Sequence, residues 1–260
     1  MRVPALLVLC AACRVYDPVA EIPHRELRTT AAAVAAILDD VGRPRVYAVG
    51  EYHPTRDLVG RASPIARFTD EILGLLEPRA RHMVIEAWLD ARCAAPQHGV
   101  DELVRAGADR RIATHGLPVT CIEHSAMLDA RGHVDVARLL DMITEKLHDT
   151  TRALVAQGLD VIVYGGALHN DLYPHWPFED LSYAHALAGE IAGDIVEIDL
   201  VVPEIVAPIQ SIRWEPWFPL LARASPDRVT LWERGPDSYV LILPAQSEAV
   251  AAIARPIVED

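Results

Sequence analysis

The sequence is poor in cysteine and in positive charge. Its four cysteines, at positions 10, 13, 93 and 121, are too few for a disulfide scaffold and lack the paired spacing of a structural zinc site. We interpret Cys93 and Cys121 as small buried hydrophobic residues, with a bridge in an oxidising compartment as the alternative. Lysine and arginine total 24 against 37 acidic residues, and the net charge of −13 would repel a phosphate backbone. We therefore expect no nucleic-acid partner.

The sequence also lacks an apolar run of about eighteen residues, so we expect no bilayer-spanning helix. Contact with a membrane is expected only through the N-terminus. Residues 1–13 place one arginine before an apolar run and then small residues before Cys13, an order that resembles a bacterial lipoprotein signal peptide. The alternatives are a buried first strand over residues 6–10 of a cytoplasmic domain and a start codon assigned too far downstream. Cell envelope and cytoplasm thus both remain open.

Three familiar catalytic and nucleotide-binding motifs are missing. The chain has no Gly-x-Gly-x-x-Gly after its first predicted core strand, no phosphate-cradling Gly-x-x-x-x-Gly-Lys-Ser/Thr and no Gly-x-Ser-x-Gly nucleophile elbow. These absences argue against a dinucleotide-binding enzyme, a nucleotide-binding enzyme and a serine hydrolase.

Short apolar segments alternate with helical patterns along most of the chain. Strands are predicted at residues 45–49, 82–86, 118–122, 161–164 and 195–201, with helices between them. This alternation predicts an α/β fold, a mostly parallel sheet covered by helices. After residue 202, prolines and tryptophans separate short segments. Residues 239–243 are predicted as a late strand, for which antiparallel pairing is one option. We therefore divide the chain into a leader and extension (1–27), a core (28–202) and a smaller C-terminal appendage packed on it (203–260).

Polar side chains follow four of these predicted strands. In a parallel sheet the chain leaves every strand at the same edge, so side chains beyond the strand ends meet in one crevice. The crevice is predicted to gather Glu51, His53, Glu86, Glu123, His124 and His169.

The first of these groups suits acid–base chemistry. Glu51 and His53 are two positions apart and share one face if the strand continues through them. A carboxylate beside an imidazole fixes its tautomer and favours proton uptake from water, and the same atoms suit a divalent metal ion. Gly50 and Gly166 allow the backbone to approach a ligand closely. The sequence does not separate metal-free catalysis from metal binding by Glu51, His53, Glu86 and His169.

The motifs Gly50-Glu51-Tyr52-His53, a strand-terminal Glu86 and Gly166-Ala167-Leu168-His169 occur in the order found in one superfamily. The chain resembles the superfamily that joins ChaN-like haem-uptake lipoproteins, erythromycin esterases, and the TraB and Tiki proteins. The resemblance covers residues 45 to about 171. It assigns Glu51 and His53 to the first motif, Glu86 to the central acid and His169 to the second histidine.

The resemblance implies two functions and leaves open whether the protein is an enzyme. One is a hydrolase that activates water with this Glu/His site, directly or on a divalent metal, and acts on a small-molecule or peptide substrate. The other is a haem- or iron-binding envelope lipoprotein in iron uptake, with Tyr52 as a candidate axial ligand. The esterase form commonly has Thr or Ser where this chain has Tyr52, so a macrolide substrate is not implied.

Overall fold

A computed structural model describes residues 18–53, 63–88, 99–129 and 131–246 of the chain. The predicted lipoprotein leader, with Cys10 and Cys13, lies outside these residues, and so does Cys93. Within the described ranges, no helix is long and apolar enough to cross a membrane.

The prediction of an α/β fold is confirmed. One sheet of eight strands runs through the molecule: β1 Arg25–Leu27, β2 Val46–Glu51, β3 His82–Ile85, β4 Ala113–Gly116, β5 Val161–Gly166, β6 Ile195–Val201, β7 Val229–Gly235 and β8 Ser238–Ile242. Their order across the sheet is β1-β7-β8-β6-β2-β5-β3-β4. Among the described strands, β7 pairs antiparallel with β1 and β8, and the other five pairings are parallel.

Helices cover both faces of this sheet. They are α1 Thr30–Val41, α2 Pro64–Arg67, α3 Leu73–Leu76, α4 Val100–Asp109, α5 Cys121–Ala126, α6 Val136–Ala156, α7 Ala167–Asn170, α8 Tyr183–Glu190 and α9 Pro203–Val206, with a π-helical turn at Phe68–Ile72 joining α2 to α3. Ser63 caps the backbone N–H of Ala66, and Pro64 occupies the first turn of α2. This helix start is the one that the sequence predicts from a polar cap followed by proline.

Alternation along the strands separates two hydrophobic cores. On β2, Val46 and Ala48 face the core formed with α6 and α8, whereas Tyr47 and Val49 face the core formed with α1 and the α2–α3 segment. A third cluster, built around Trp217, packs the segment after β6 against the ends of β6 and β8. Both faces of the central strands are therefore buried, as in other parallel sheets.

The predicted strand at residues 118–122 is wrong. The edge strand is β4, five residues earlier, and the chain then enters α5 through a capping box. Thr120 accepts from the N–H of Glu123, whose carboxylate accepts from the N–H of Thr120. Cys121 is exposed and disulfide-bonded, so its interpretation as a small buried hydrophobic residue is also wrong. The bridged alternative, typical of oxidising compartments, is the correct one at this position.

The late strand is confirmed as β8, which pairs in parallel with β6 and antiparallel with β7. The segment that we describe as an appendage therefore contributes two strands to the same sheet as the core. Four short 3-10 turns complete the described chain, at Pro18–Glu21, Glu179–Leu181, Gln210–Trp214 and Phe218–Arg223.

The strand order places β2 at a topological switch point. Its two neighbours are β5 and β6, and the chain continues outward through β3 and β4 on one side and through β8 on the other. In sheets of this kind, ligands bind beyond the carboxyl ends of the strands at the switch point. The Glu51 end of β2 lies at that position.

Candidate active site

The Glu51–His53 pair is formed in the structure. Glu51 ends β2, and its Oε1 lies 2.9 Å from His53 Nδ1, while its Oε2 accepts a hydrogen bond from the hydroxyl of Tyr164. Glu51 is nearly buried, whereas the side chain of His53 is 61% exposed. The hydrogen bond with Glu51 raises the pKa of His53 above its ordinary value, against the opposing effect of burial. Among the described residues, its Nε2 has no hydrogen-bond partner and can contact a substrate or water.

Glu86 reaches the same place from β3. Its Oε2 accepts a hydrogen bond of 2.6 Å from the backbone N–H of Gly166. The carboxylate passes over Gly165, where a Cβ atom would lie 2.6 Å from Oε2. A side chain at position 165 would therefore displace Glu86, which explains the need for glycine there.

Three predicted site residues meet around Gly166. A Cβ atom at this glycine would lie 3.1 Å from His53 Nε2, 3.5 Å from Glu86 Oε2 and 3.7 Å from His169 Cδ2. These side chains come from β2, β3 and the helix after β5, and the sheet register brings them together as expected. The space above Gly166 is thus lined by two imidazoles and a carboxylate.

The tautomer of His169 follows from its partners. Nδ1 of this buried histidine lies 2.9 Å from the carbonyl oxygen of Leu181 and 3.0 Å from the hydroxyl oxygen of Thr144. A carbonyl oxygen only accepts hydrogen bonds, so Nδ1 carries a proton. In the neutral imidazole, Nε2 then holds the lone pair, which makes it an acceptor or a base.

Buried polar contacts fix the turn that carries His169. The Asn170 side chain donates to the carbonyl oxygen of Gly166 at 2.9 Å and accepts from the Tyr183 hydroxyl at 2.9 Å. Asn170 and Tyr183 are completely buried. These hydrogen bonds join α7, which carries His169, to Gly166 and to α8.

Sequence reasoning missed a second set of acids beside this site. Glu197 and Asp199 point from β6 to the face that also bears Gly50, and both are buried. Among the described residues, Asp199 Oδ1 has no hydrogen-bond partner, and it lies 2.5 Å from the position that a Cβ atom of Gly50 would take. The signal was available, because two acids at alternate positions of an apolar strand must share one buried face.

The acids of β6 share a single nearby arginine. Arg234 contacts Asp171 Oδ1 at 2.6 Å and lies 3.6 Å from Glu197 Oε1. Burial, reinforced by Asp171, raises the pKa of Glu197 to about 7. Burial, with Glu197 and Asp171, raises the pKa of Asp199 well above its ordinary value. These surroundings favour the protonated form of Asp199.

Tyr52 does not face the Gly166 space. Its ring packs on Trp217, with the ring centroids 5.4 Å apart, and its hydroxyl lies 3.5 Å from Asp199 Oδ2. Burial and the charge of Asp199 raise the pKa of this phenol well above its ordinary value. An iron ligand would have to be a phenolate, which these surroundings disfavour.

Two other predicted residues fall outside the cluster. Glu123 and His124 lie on α5 rather than at a strand end, so their assignment to the crevice through a strand at 118–122 is wrong. Glu123 instead accepts from Lys146 at 2.8 Å, and this contact with the Thr120 cap lowers its pKa to about 2.

The four residues assigned as alternative metal ligands do not form a metal site in this arrangement. Across the described ranges, no group of three or more His, Cys, Asp or Glu side chains is placed to hold one ion together. Nδ1 of His169 donates to the carbonyl oxygen of Leu181, which leaves the lone pair of Nε2 for either a proton or a metal ion.

Comparisons with known proteins give little further information. No protein-family model matches the chain, and no curated protein matches it in sequence. Among solved structures, the type III effector HopBA1 is similar, with 12% sequence identity and a TM-score of 0.44, over 87% of this chain and 98% of the effector.

Proposed function

We propose that this protein is a hydrolase in which His53 activates water directly. The observation that carries the proposal is the convergence of His53 Nε2, Glu86 Oε2 and His169 Cδ2 within 3.7 Å of one point above Gly166. Glu51 supports His53 from behind, in the way that a carboxylate orients a general base. The order of these motifs also resembles that of the ChaN, erythromycin esterase and TraB/Tiki superfamily.

The reaction is the hydrolysis of an ester or amide bond in a small molecule or peptide. His53 Nε2 takes a proton from water as the water oxygen bonds to the substrate carbonyl carbon. The bond to the leaving group then breaks, and His53 returns the proton to that group. The carboxylate of Glu51 stabilises the imidazolium formed between these two steps.

Glu86 and His169 act on the other side of the substrate. Glu86 holds the backbone N–H of Gly166 and thereby the floor of the site. In neutral His169 the proton is on Nδ1, which donates it in a hydrogen bond to the carbonyl oxygen of Leu181. Nε2 is therefore the acceptor. It therefore serves to accept a hydrogen bond from the attacking water or from the substrate.

The test is a panel of chromogenic carboxylic esters and peptide anilides with the wild type, His53→Ala and His169→Ala. We expect both variants to fold. His53→Ala should lose about 100-fold or more in kcat/KM, because a general base typically contributes that much. His169→Ala should lose about 10-fold, because it removes one hydrogen bond to the attacking water or the substrate. His124→Ala is the matched control, since this histidine lies on α5, and it should retain wild-type activity.

Two results would overturn the proposal. One is a wild type that cleaves none of these substrates; the other is a His53→Ala variant as active as His124→Ala. Haem titration of the same proteins addresses the iron-uptake alternative. A Soret band that disappears in Tyr52→Phe would favour haem binding over hydrolysis.

A further inference from the structure

Tyr52 separates the two members of the Glu51–His53 pair and points away from both. Glu51 contacts Tyr164 on one face of the sheet, whereas Tyr52 packs on the opposite side in the cluster around Trp217. His53 returns to the side of Glu51, as its 2.9 Å contact shows. Because Glu51, Tyr52 and His53 are consecutive, the side of the sheet on which Tyr52 packs also decides the side to which Glu51 and His53 point.

Two partners hold Tyr52 in this direction. Trp217, which is almost completely buried, packs against its ring at an interplanar angle of 57° and is also hydrogen-bonded to its hydroxyl. An indole N–H can only donate, so the tyrosine oxygen accepts from Trp217 and its own proton is directed at Asp199 Oδ2. Asp199 is 4% exposed, and its other oxygen, Oδ1, has no hydrogen-bond partner in the described ranges.

Gly50 makes this arrangement sterically feasible. Asp199 pairs in register with Gly50, and a Cβ atom at position 50 would meet Asp199 Oδ1 at 2.5 Å and the Cα atom of Ala167 at 2.8 Å. The glycine that opens the first motif therefore leaves room for Asp199. A buried, incompletely hydrogen-bonded carboxyl group is costly, so packing alone does not explain an acid at this position.

We propose that Tyr52 and Asp199 form a positioning pair that sets the direction in which Glu51 and His53 leave the end of β2. Neither residue touches the space above Gly166, so neither is catalytic. Their effect on hydrolysis rests on the function proposed above, whereas their effect on the geometry of His53 does not.

The experiment is an NMR titration of the His53 imidazole in the full-length protein, combined with steady-state kinetics. Asp199→Ala and Tyr52→Leu should lower the pKa of His53 toward the ordinary histidine value, because the Glu51 contact that raises it is loosened. They should also reduce kcat about 10- to 100-fold with little change in KM. Asp199→Asn keeps an acceptor for Tyr52 and should restore most of both properties.

Matched controls separate positioning from stability. Tyr47→Phe removes a buried hydroxyl of β2 that has no hydrogen-bond partner within the described part of the chain, and it should leave the His53 titration unchanged. Tyr52→Phe, which keeps the ring, serves if Tyr52→Leu does not fold, and it should lower the pKa of His53 by a smaller amount.

The inference is overturned if His53 titrates as in the wild type in Asp199→Ala and in the folded Tyr52 variants, even when their melting temperatures fall. The proposed function fails separately. If the wild type hydrolyses nothing but the His53 titration shifts as expected, the positioning pair stands and the hydrolase does not.

Discussion

Two neighbouring parts of one sheet edge place carboxyl groups in opposite surroundings. On β2 and β3, Glu51 and Glu86 accept hydrogen bonds from a phenol, an imidazole and a backbone N–H. On β6, Glu197 and Asp199 are buried, and each has an oxygen without a hydrogen-bond partner. Burial raises the pKa of both β6 acids, whereas Glu51 and Glu86 are only partly buried and have hydrogen-bond donors that suit a carboxylate.

The largest expected effect comes from the two glycines that lie against these acids, Gly50 beside Asp199 and Gly165 beside Glu86. Gly50→Ala would bring a Cβ atom within 2.8 Å of the Ala167 backbone as well as 2.5 Å of Asp199 Oδ1. Because the backbone cannot yield easily, we expect a loss of about 3 kcal/mol in the free energy of unfolding. Urea denaturation measures it.

Gly165→Ala is the matched variant on the other side. Its Cβ atom would meet Glu86, at 2.6 Å from Oε2 and 3.0 Å from Cβ, and the carboxylate at the end of that side chain can move. We expect a smaller loss of stability with a clear loss of hydrolysis. Equal stability of Gly50→Ala and wild type would show that the Gly50 contact is not as described.

Glu51→Gln tests the partnered acids. The charge of Glu51 supports the imidazolium of His53, so its removal should lower kcat/KM about 100-fold. The hydrogen bond with Glu51 raises the pKa of His53, and the base is active only when deprotonated. The acid limb of the pH–rate profile should therefore move to lower pH in Glu51→Gln. A limb that stays in place would indicate that another group is the base.

Glu197→Gln tests the acids on β6, with the smallest expected effect. The pKa of Glu197 is raised to about 7 in the folded protein, so folding favours its protonated form. Its stabilising contribution is complete below the unfolded pKa and is lost as the pH rises through 7. Wild type should lose about 1 kcal/mol of stability between pH 6 and pH 8 at this group.

Between pH 6 and pH 8, Glu197→Gln should lose less free energy of unfolding than wild type, as measured by urea denaturation at each pH. Asp237→Asn is a suitable control, because that acid lies in a more exposed turn next to the same strands. Equal pH slopes for Glu197→Gln and wild type would mean that Glu197 does not titrate in this range.

The sequence predicts the architecture well where local signals are strong. The apolar segment that became β6 and the Ser63-Pro64 helix start are both found as predicted. The strand at 118–122 failed because Val119, Cys121 and Ile122 suggest a strand, whereas the Thr120–Glu123 capping box in the same segment starts a helix. The true edge strand, Ala113–Gly116, carries too few apolar residues to be recognised.

Part of the candidate site was also predictable. The convergence of His53, Glu86 and His169 follows from the rule that parallel strands end at one edge. The role of Asp199 does not, because it depends on the register that pairs it with Gly50. The buried anchor of Tyr52 likewise depends on Trp217, which lies far along the chain and carries no local signal for this contact.

The most direct test of the central claim is a double-mutant cycle between His53 and His169 on kcat/KM. If both imidazoles serve one reaction above Gly166, the His53→Ala/His169→Ala double variant should be about as slow as the slower single variant. If the two losses multiply, the histidines act independently, and the account of a single site is contradicted.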